Sequence, residues 1–133
     1  MRSEDFAWRV PGSRIAFLIG VVGIFLLTHW PKLAIPLPGR PDLVAHLVIF
    51  GTWTILCTAC GFFGPWHSAR NIGKSVAVSV AYSAFDEALQ AIPFIQRQAA
   101  WDDWCADVVG VAVGGLVMLA AAWWYQRKIR ASV

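Results

Sequence analysis

The sequence predicts an all-α fold: an integral membrane four-helix bundle that forms one domain over residues 1–133. Hydrophobic residues make up 58% of the chain, and the mean hydropathy of +0.58 exceeds that of ordinary soluble domains. Three windows of 17, 27 and 19 residues contain no Asp, Glu, Lys or Arg. Each can form a helix long enough to cross about 30 Å of hydrocarbon. Prolines and most tryptophans fall at the ends of these windows, as is typical of spans bounded by interfacial aromatic belts.

The four helices are expected at about residues 14–30, 42–64, 74–92 and 103–126. No small-x-small cleavage site follows the first apolar stretch, so it is interpreted as a span and not as a secretory signal. The second helix follows a proline-rich segment that ends at Pro41. The third is apolar at its start and polar at its far end, and the fourth is apolar for most of its length.

The distribution of basic residues predicts the orientation. Eight of the 11 Lys and Arg residues flank the face that holds both termini, against Lys32, Arg40 and Arg97 on the other face. The positive-inside rule then places both termini in the cytoplasm, in a multi-pass protein of the cell membrane. The net charge of +3 is therefore interpreted as part of this topology. The basic residues form no cluster of the kind that binds nucleic acids, so no nucleic-acid partner is predicted.

Helical spacing gathers polar residues into seams on three helices. On the third helix Glu87 lies beside a stripe at i, i+4, i+7 and i+11, formed by Ser79, Ser83, Asp86 and Gln90. Such a stripe must face protein or water, because an ionised side chain inside a bilayer needs a partner, a wet cavity or an ion.

Two further seams lie on the second and fourth helices. Asp42 and His46 are four residues apart, so Asp42 is expected either to cap the second helix or to bond the imidazole. The fourth helix repeats the i, i+4, i+7, i+11 spacing with Asp103, Asp107, Gly110 and Gly114. The two glycines allow close approach of a neighbouring backbone. We expect that approach to bring the acids against the third helix.

This pattern resembles the VanZ-like family of small four-helix bacterial membrane proteins. The resemblance lies in DLVAH, DEALQ and RQAAWDDWCADVVGVAVG, which span residues 42–114. It implies a four-helix membrane fold, a polar site, and a link to low-level resistance to the glycopeptide teicoplanin. It implies no particular reaction. The chain departs from the family at Leu43, where a lysine is usual, and at Asp107, where asparagine is common.

The candidate polar binding site comprises eight residues: Asp42, His46, Asp86, Glu87, Gln90, Arg97, Asp103 and Asp107. In one interpretation Arg97 clamps the acids together as a structural network. In the other, one arginine cannot balance so many acids, and the cluster is a cavity open to the outer face that binds a ligand.

Function hypotheses from several classes remain open. The first is binding of a cell-envelope lipid, a lipid-linked wall precursor or the lipid tail of an antibiotic. The second is an acid-base or metal-assisted enzyme in which His46 is the base, Asp42 orients it, Asp86 or Glu87 is the acid, and Arg97 holds an anion. The third is a proton- or cation-coupled transporter, and the fourth a purely structural membrane protein. No cofactor and no zinc spacing are predicted, although the oxygen ligands and single imidazole leave a divalent cation open.

Overall fold

A computed structural model describes residues 11–29, 40–92 and 100–132. These ranges form four α-helices and no strand: α1 (Pro11–His29), α2 (Pro41–Ala59), α3 (Ala69–Gln90) and α4 (Trp101–Ala131). The predicted all-α class is therefore confirmed. By length and apolar composition, α2 and α4 are each able to cross a membrane, and α1 contributes a shorter apolar stretch at Arg14–Leu26.

The helix ends follow local chemistry that hydropathy does not register. α2 ends at Ala59, earlier than predicted, because the chain turns through positive φ at Gly61 and Gly64. α3 begins at Ala69, earlier than predicted, because the Ser68 hydroxyl caps it by accepting the backbone N–H of Asn71 at 3.2 Å. α4 extends to Ala131, since the chain contains neither glycine nor proline beyond Gly115 to break it.

α2 and α4 pack backbone against backbone through three glycines. A Cβ placed on Gly110 would overlap the carbonyl oxygen of Leu47, and one on Gly114 would lie 2.5 Å from the carbonyl oxygen of Gly51. The expectation that the acids of α4 lie against α3 holds for Asp107, which is close to Glu87, but the backbone that the glycines meet is that of α2 and not that of α3. Gly51 lies on α2, and its lack of a side chain lets the backbone of α4 come close. On α3, the atom nearest to a glycine of α4 is a methyl group of Val76, which lies opposite Gly115.

The interior of the described bundle is rich in polar side chains, and many large apolar side chains lie on its exterior. α3 turns inward a continuous polar face of Asn71, Ser75, Ser79, Ser83, Asp86, Glu87 and Gln90, all buried. Large hydrophobic side chains such as Val78, Phe85, Leu116 and Trp124 are exposed instead. A small apolar cluster of Trp66, Ile72, Met118 and Ala122 closes the end of the bundle where α3 begins. The acids lie at the opposite end, where α2 and α4 begin and α3 ends.

Candidate functional site

A hydrogen bond between α2 and α4 forms the centre of the acidic end. His46 Nδ1 and Asp107 Oδ1 are 2.8 Å apart, and both side chains are buried. In the tautomer that carries its proton on Nδ1, His46 donates to Asp107 and keeps a lone pair on its other nitrogen. That nitrogen, Nε2, lies 4.0 Å from Asp103 Oδ2.

The predicted pairing of Asp42 with His46 was wrong. Arg40 and not Asp42 occupies the N-cap position of α2, and the imidazole bonds Asp107. It pairs instead with Arg40, whose Nη2 is 3.1 Å from Asp42 Oδ2. The reason is that Asp42 stands half exposed in the first turn of α2, beside a flexible guanidinium, whereas the buried imidazole points towards α4.

Glu87 brings the C-terminal part of α3 into this site. It is 7% exposed, and its Oε2 accepts the backbone N–H of Ala100 at 3.3 Å. Its Oε1 has no hydrogen-bond partner among the described residues, and neither does Asp107 Oδ2. Glu87, His46 and Asp107 can each contribute one ligand atom to a set whose members lie within 4.8 Å of one another.

Asp86 and Gln90 form a second buried pair on α3. Gln90 Nε2 donates to Asp86 Oδ2 at 3.1 Å, and both side chains are almost fully buried. The two residues lie one turn apart on the same face of α3, so the polar end of this helix contains a hydrogen bond between its own side chains.

Arg40 forms the rim of the site and was missed as a site residue from the sequence. Its Nη2 lies 2.6 Å from Asp102 Oδ2 and 3.8 Å from Asp103 Oδ1, so it links the first turns of α2 and α4. Its hydrogen bonds to Asp42 and Asp102 raise the pKa of the guanidinium above its usual range. The signal available in the sequence was its place two residues before Asp42, immediately ahead of α2.

Arg97, the cation expected to clamp the acids, lies outside the described residues. The clamp therefore stays a prediction. Within the described ranges, the cation beside the acids is Arg40, and its side chain is 56% exposed. It meets the rim acids and not Glu87 or Asp107.

A groove between α3 and α4 leads to the site from the side of the bundle. It has a volume of about 390 Å³. Its lining is Ala84, Ala88, Ala100, Trp101, Trp104 and Glu87. The indole Nε1–H of Trp104 has no hydrogen-bond partner among the described residues. The groove thus has a mainly apolar wall, and two of its lining residues, Glu87 and Trp104, each carry a buried polar atom without a partner among the described residues.

The chemistry of the site is that of an oriented imidazole surrounded by carboxylates. It can bind cations, accept hydrogen bonds from amines or hydroxyls, and move protons at His46. In the described part of the chain, no serine or cysteine hydrogen-bonds His46, which disfavours a serine- or cysteine-type nucleophile. Protein-family models, curated proteins and solved structures provide no match to this chain.

Proposed function

We propose that this chain is a VanZ-like protein of the cell membrane, with four spans and both termini in the cytoplasm. Its acidic site faces outward and binds the head group of an envelope lipid or of a lipid-linked wall precursor. The same groove would admit the acyl tail of a lipid-bearing glycopeptide such as teicoplanin, which is how the chain would contribute to resistance.

The inverted distribution of polarity supports the membrane part of the proposal. Water-soluble helices turn their apolar stripe to the core, whereas lipid-facing helices expose it. α3 is too polar by composition to resemble a span, yet its acids are buried and the side chains it exposes include Val78 and Phe85. α1 exposes Ile15, Leu18 and Ile19 in the same way.

The observation that supports ligand binding most directly is the continuity between groove and site. Glu87 belongs to both, so a ligand whose chain lies along Ala84 and Ala88 would bring its polar end to Glu87 Oε1 and Trp104 Nε1. Pockets for small molecules commonly combine apolar walls with a few converging polar groups. A soluble cofactor would not need a groove that opens along the lipid-facing side.

The charge of the site indicates the chemistry of the head group. Glu87, Asp103 and Asp107 surround His46, and a bare phosphate would be repelled by them. Leu43 stands where VanZ-like proteins usually have a lysine, so that ammonium group is also absent as a phosphate partner. An ammonium or hydroxyl-bearing head group fits best, because carboxylates accept hydrogen bonds from both.

Native mass spectrometry in detergent tests the proposal. Wild type is expected to retain bound lipid, and Ala88→Trp, which fills the groove, is expected to lose it. Ala81→Trp is the matched control, because Ala81 is an exposed alanine two turns away on α3 and does not line the groove. Wild type without retained lipid, or equal retention by both variants, would refute the proposed binding site.

Antibiotic susceptibility tests the cellular part separately. Expression of wild type in a susceptible bacterium should lower susceptibility to teicoplanin more than to vancomycin, which has no acyl tail. The effect should disappear in Ala88→Trp and persist in Ala81→Trp. An equal response to both antibiotics would contradict a role for the acyl tail.

The His46–Asp107 hydrogen bond favours an enzyme as the second candidate. A carboxylate that orients an imidazole is the arrangement used for general acid-base catalysis. Asp107 would take the orienting role that the sequence suggested for Asp42, with His46 as the base. Incubation of labelled envelope lipids with wild type and His46→Gln tests this candidate, and turnover no greater than that of the variant would exclude it.

A further inference from the structure

The buried acids of this site have more oxygen acceptors than the surrounding protein can satisfy. Glu87 is 93% buried and Asp107 is completely buried, yet Glu87 Oε1 and Asp107 Oδ2 have no hydrogen-bond partner among the described residues. Buried carboxylate oxygens are normally paired or coordinate a metal, because an unsatisfied buried polar atom is costly. These two atoms belong to side chains that converge with His46 from three helices.

Charge balance points in the same direction. Glu87, Asp103 and Asp107 lie around a single imidazole, and Arg40 at the rim reaches only the Asp103 side of the group. Three carboxylates at this proximity repel one another strongly inside a protein. A divalent cation would neutralise two of the three charges at the place where they converge.

The distances are compatible with one ion. His46, Glu87 and Asp107 offer ligand atoms within 4.8 Å of one another. Nδ1 of His46 faces Asp107, at 2.8 Å from its Oδ1, so a shared ion would bind Nδ1 in place of a proton. Two ligand bonds of about 2.0 to 2.2 Å, as zinc makes to nitrogen and oxygen, span up to roughly 4.4 Å. Small side-chain rotations would close the remaining difference.

We propose that His46, through Nδ1, together with Glu87 and Asp107 forms a binding site for one divalent transition-metal ion, zinc by its donor set. Imidazole nitrogen together with carboxylate oxygen suits zinc and its first-row neighbours better than calcium or magnesium, which prefer oxygen alone. The two proposals share Glu87, but the metal site also requires His46 and Asp107, which do not line the groove, so each can fail without the other.

Metal content measures the site directly. Wild type carrying a histidine-free affinity tag is stripped with a chelator in detergent, dialysed against zinc chloride, and analysed by inductively coupled plasma mass spectrometry. One zinc ion per chain is expected, with Co²⁺ as a spectroscopic substitute whose visible bands report nitrogen and oxygen ligation. A wild type that retains no zinc above the dialysis buffer overturns the proposal.

Matched variants identify the ligands. Glu87→Gln and Asp107→Asn are expected to weaken zinc binding by about tenfold or more, since even outer-shell partners of metal ligands contribute that much. Asp42→Asn and Asp102→Asn are the controls, because these acids lie at the same end of the bundle but are half exposed and paired with Arg40. Equal affinity in all four variants, or equal loss, would mean adventitious binding and overturns the proposal.

Thermal stability keeps the test decisive if Asp107→Asn fails to fold. Glu87→Gln keeps an oxygen that can accept the Ala100 N–H, so it is expected to fold. Zinc should raise the Tm of wild type by more than that of Glu87→Gln, because an ion that binds only the folded state stabilises it in proportion to the logarithm of its affinity. The same shift in both proteins overturns the proposal. Lipid retained by chelator-treated protein that takes up no zinc would refute the metal site alone, and zinc uptake without lipid would refute the lipid site alone.

Discussion

Gly110→Ala tests whether α2 and α4 are held together by direct backbone contact. The added methyl group would overlap the carbonyl oxygen of Leu47. A clash with a flexible side chain can be relieved by rotation, but a carbonyl oxygen moves only with its helix. α2 and α4 must therefore separate at a point one turn from Asp107, whose hydrogen bond to His46 depends on the same interface.

The magnitude follows from two opposed effects. Overpacking costs about 1 to 3 kcal/mol, and a backbone clash belongs at the upper end of that range. Alanine in place of glycine inside a helix returns about 1 kcal/mol of helix propensity. We therefore expect the free energy of unfolding of Gly110→Ala to fall by about 2 kcal/mol.

Gly73→Ala is the matched control, because a Cβ at this exposed α3 position meets no atom within 4 Å. Its free energy of unfolding should rise by up to about 1 kcal/mol from propensity alone. The two variants should thus differ by about 3 kcal/mol in unfolding with sodium dodecyl sulfate, followed by circular dichroism. If Gly110→Ala proves as stable as Gly73→Ala, the described contact between α2 and α4 is incorrect.

Three further predictions concern the side chains of Glu87, Asn71 and Tyr82. In metal-free protein, Glu87→Gln should have the same Tm as wild type or a higher one, because the substitution removes a buried charge beside other acids. A marked drop in Tm would indicate that Glu87 has an attractive partner. Asn71→Ala should lose about 1 to 3 kcal/mol in denaturant titration, since Asn71 bonds Thr58 O at 2.8 Å, whereas Gln126→Ala, which removes an exposed bond, should lose little. The Tyr82 ring stacks on Trp53 with centroids 4.4 Å apart, so Tyr82→Phe should have the Tm of wild type and Tyr82→Ala a lower one. Equal Tm values for the two variants would contradict a packing role for the stack.

The sequence could predict what repeats within one helix. Ser79, Ser83, Asp86 and Gln90 share one buried face of α3, because a 3.6-residue period is a property of the chain itself. The same period placed Gly110 and Gly114 on the face of α4 that meets a neighbouring backbone. Local periodicity sets which side chains lie together on a helix but does not select the neighbour.

Contacts between helices were predicted less well, for a physical reason. The bond from His46 to Asp107 crosses 61 residues, and its competitor, Asp42, lay only one turn away. Spacing favours the near partner, whereas the packing of α2 on α4 turns the imidazole to the distant one. The role of Gly51 was likewise invisible, since a single glycine in an apolar helix has no periodic partner of its own. The proposed metal ligands could not be predicted from spacing for the same reason, because the three residues come from three helices and form no sequence motif.

The polar interior described above also determines how the fold should respond to temperature. In the proposed membrane location, helices that meet in part through serine hydroxyls, carboxyl groups and glycine backbone would expose little apolar surface to water when they part. Exposure of apolar surface is what gives unfolding its large heat-capacity change, and exposure of polar surface lowers it. The association of these helices should therefore have a small heat-capacity change. Its free energy would vary gently between cold and warm conditions, without the pronounced maximum shown by a soluble bundle of the same size.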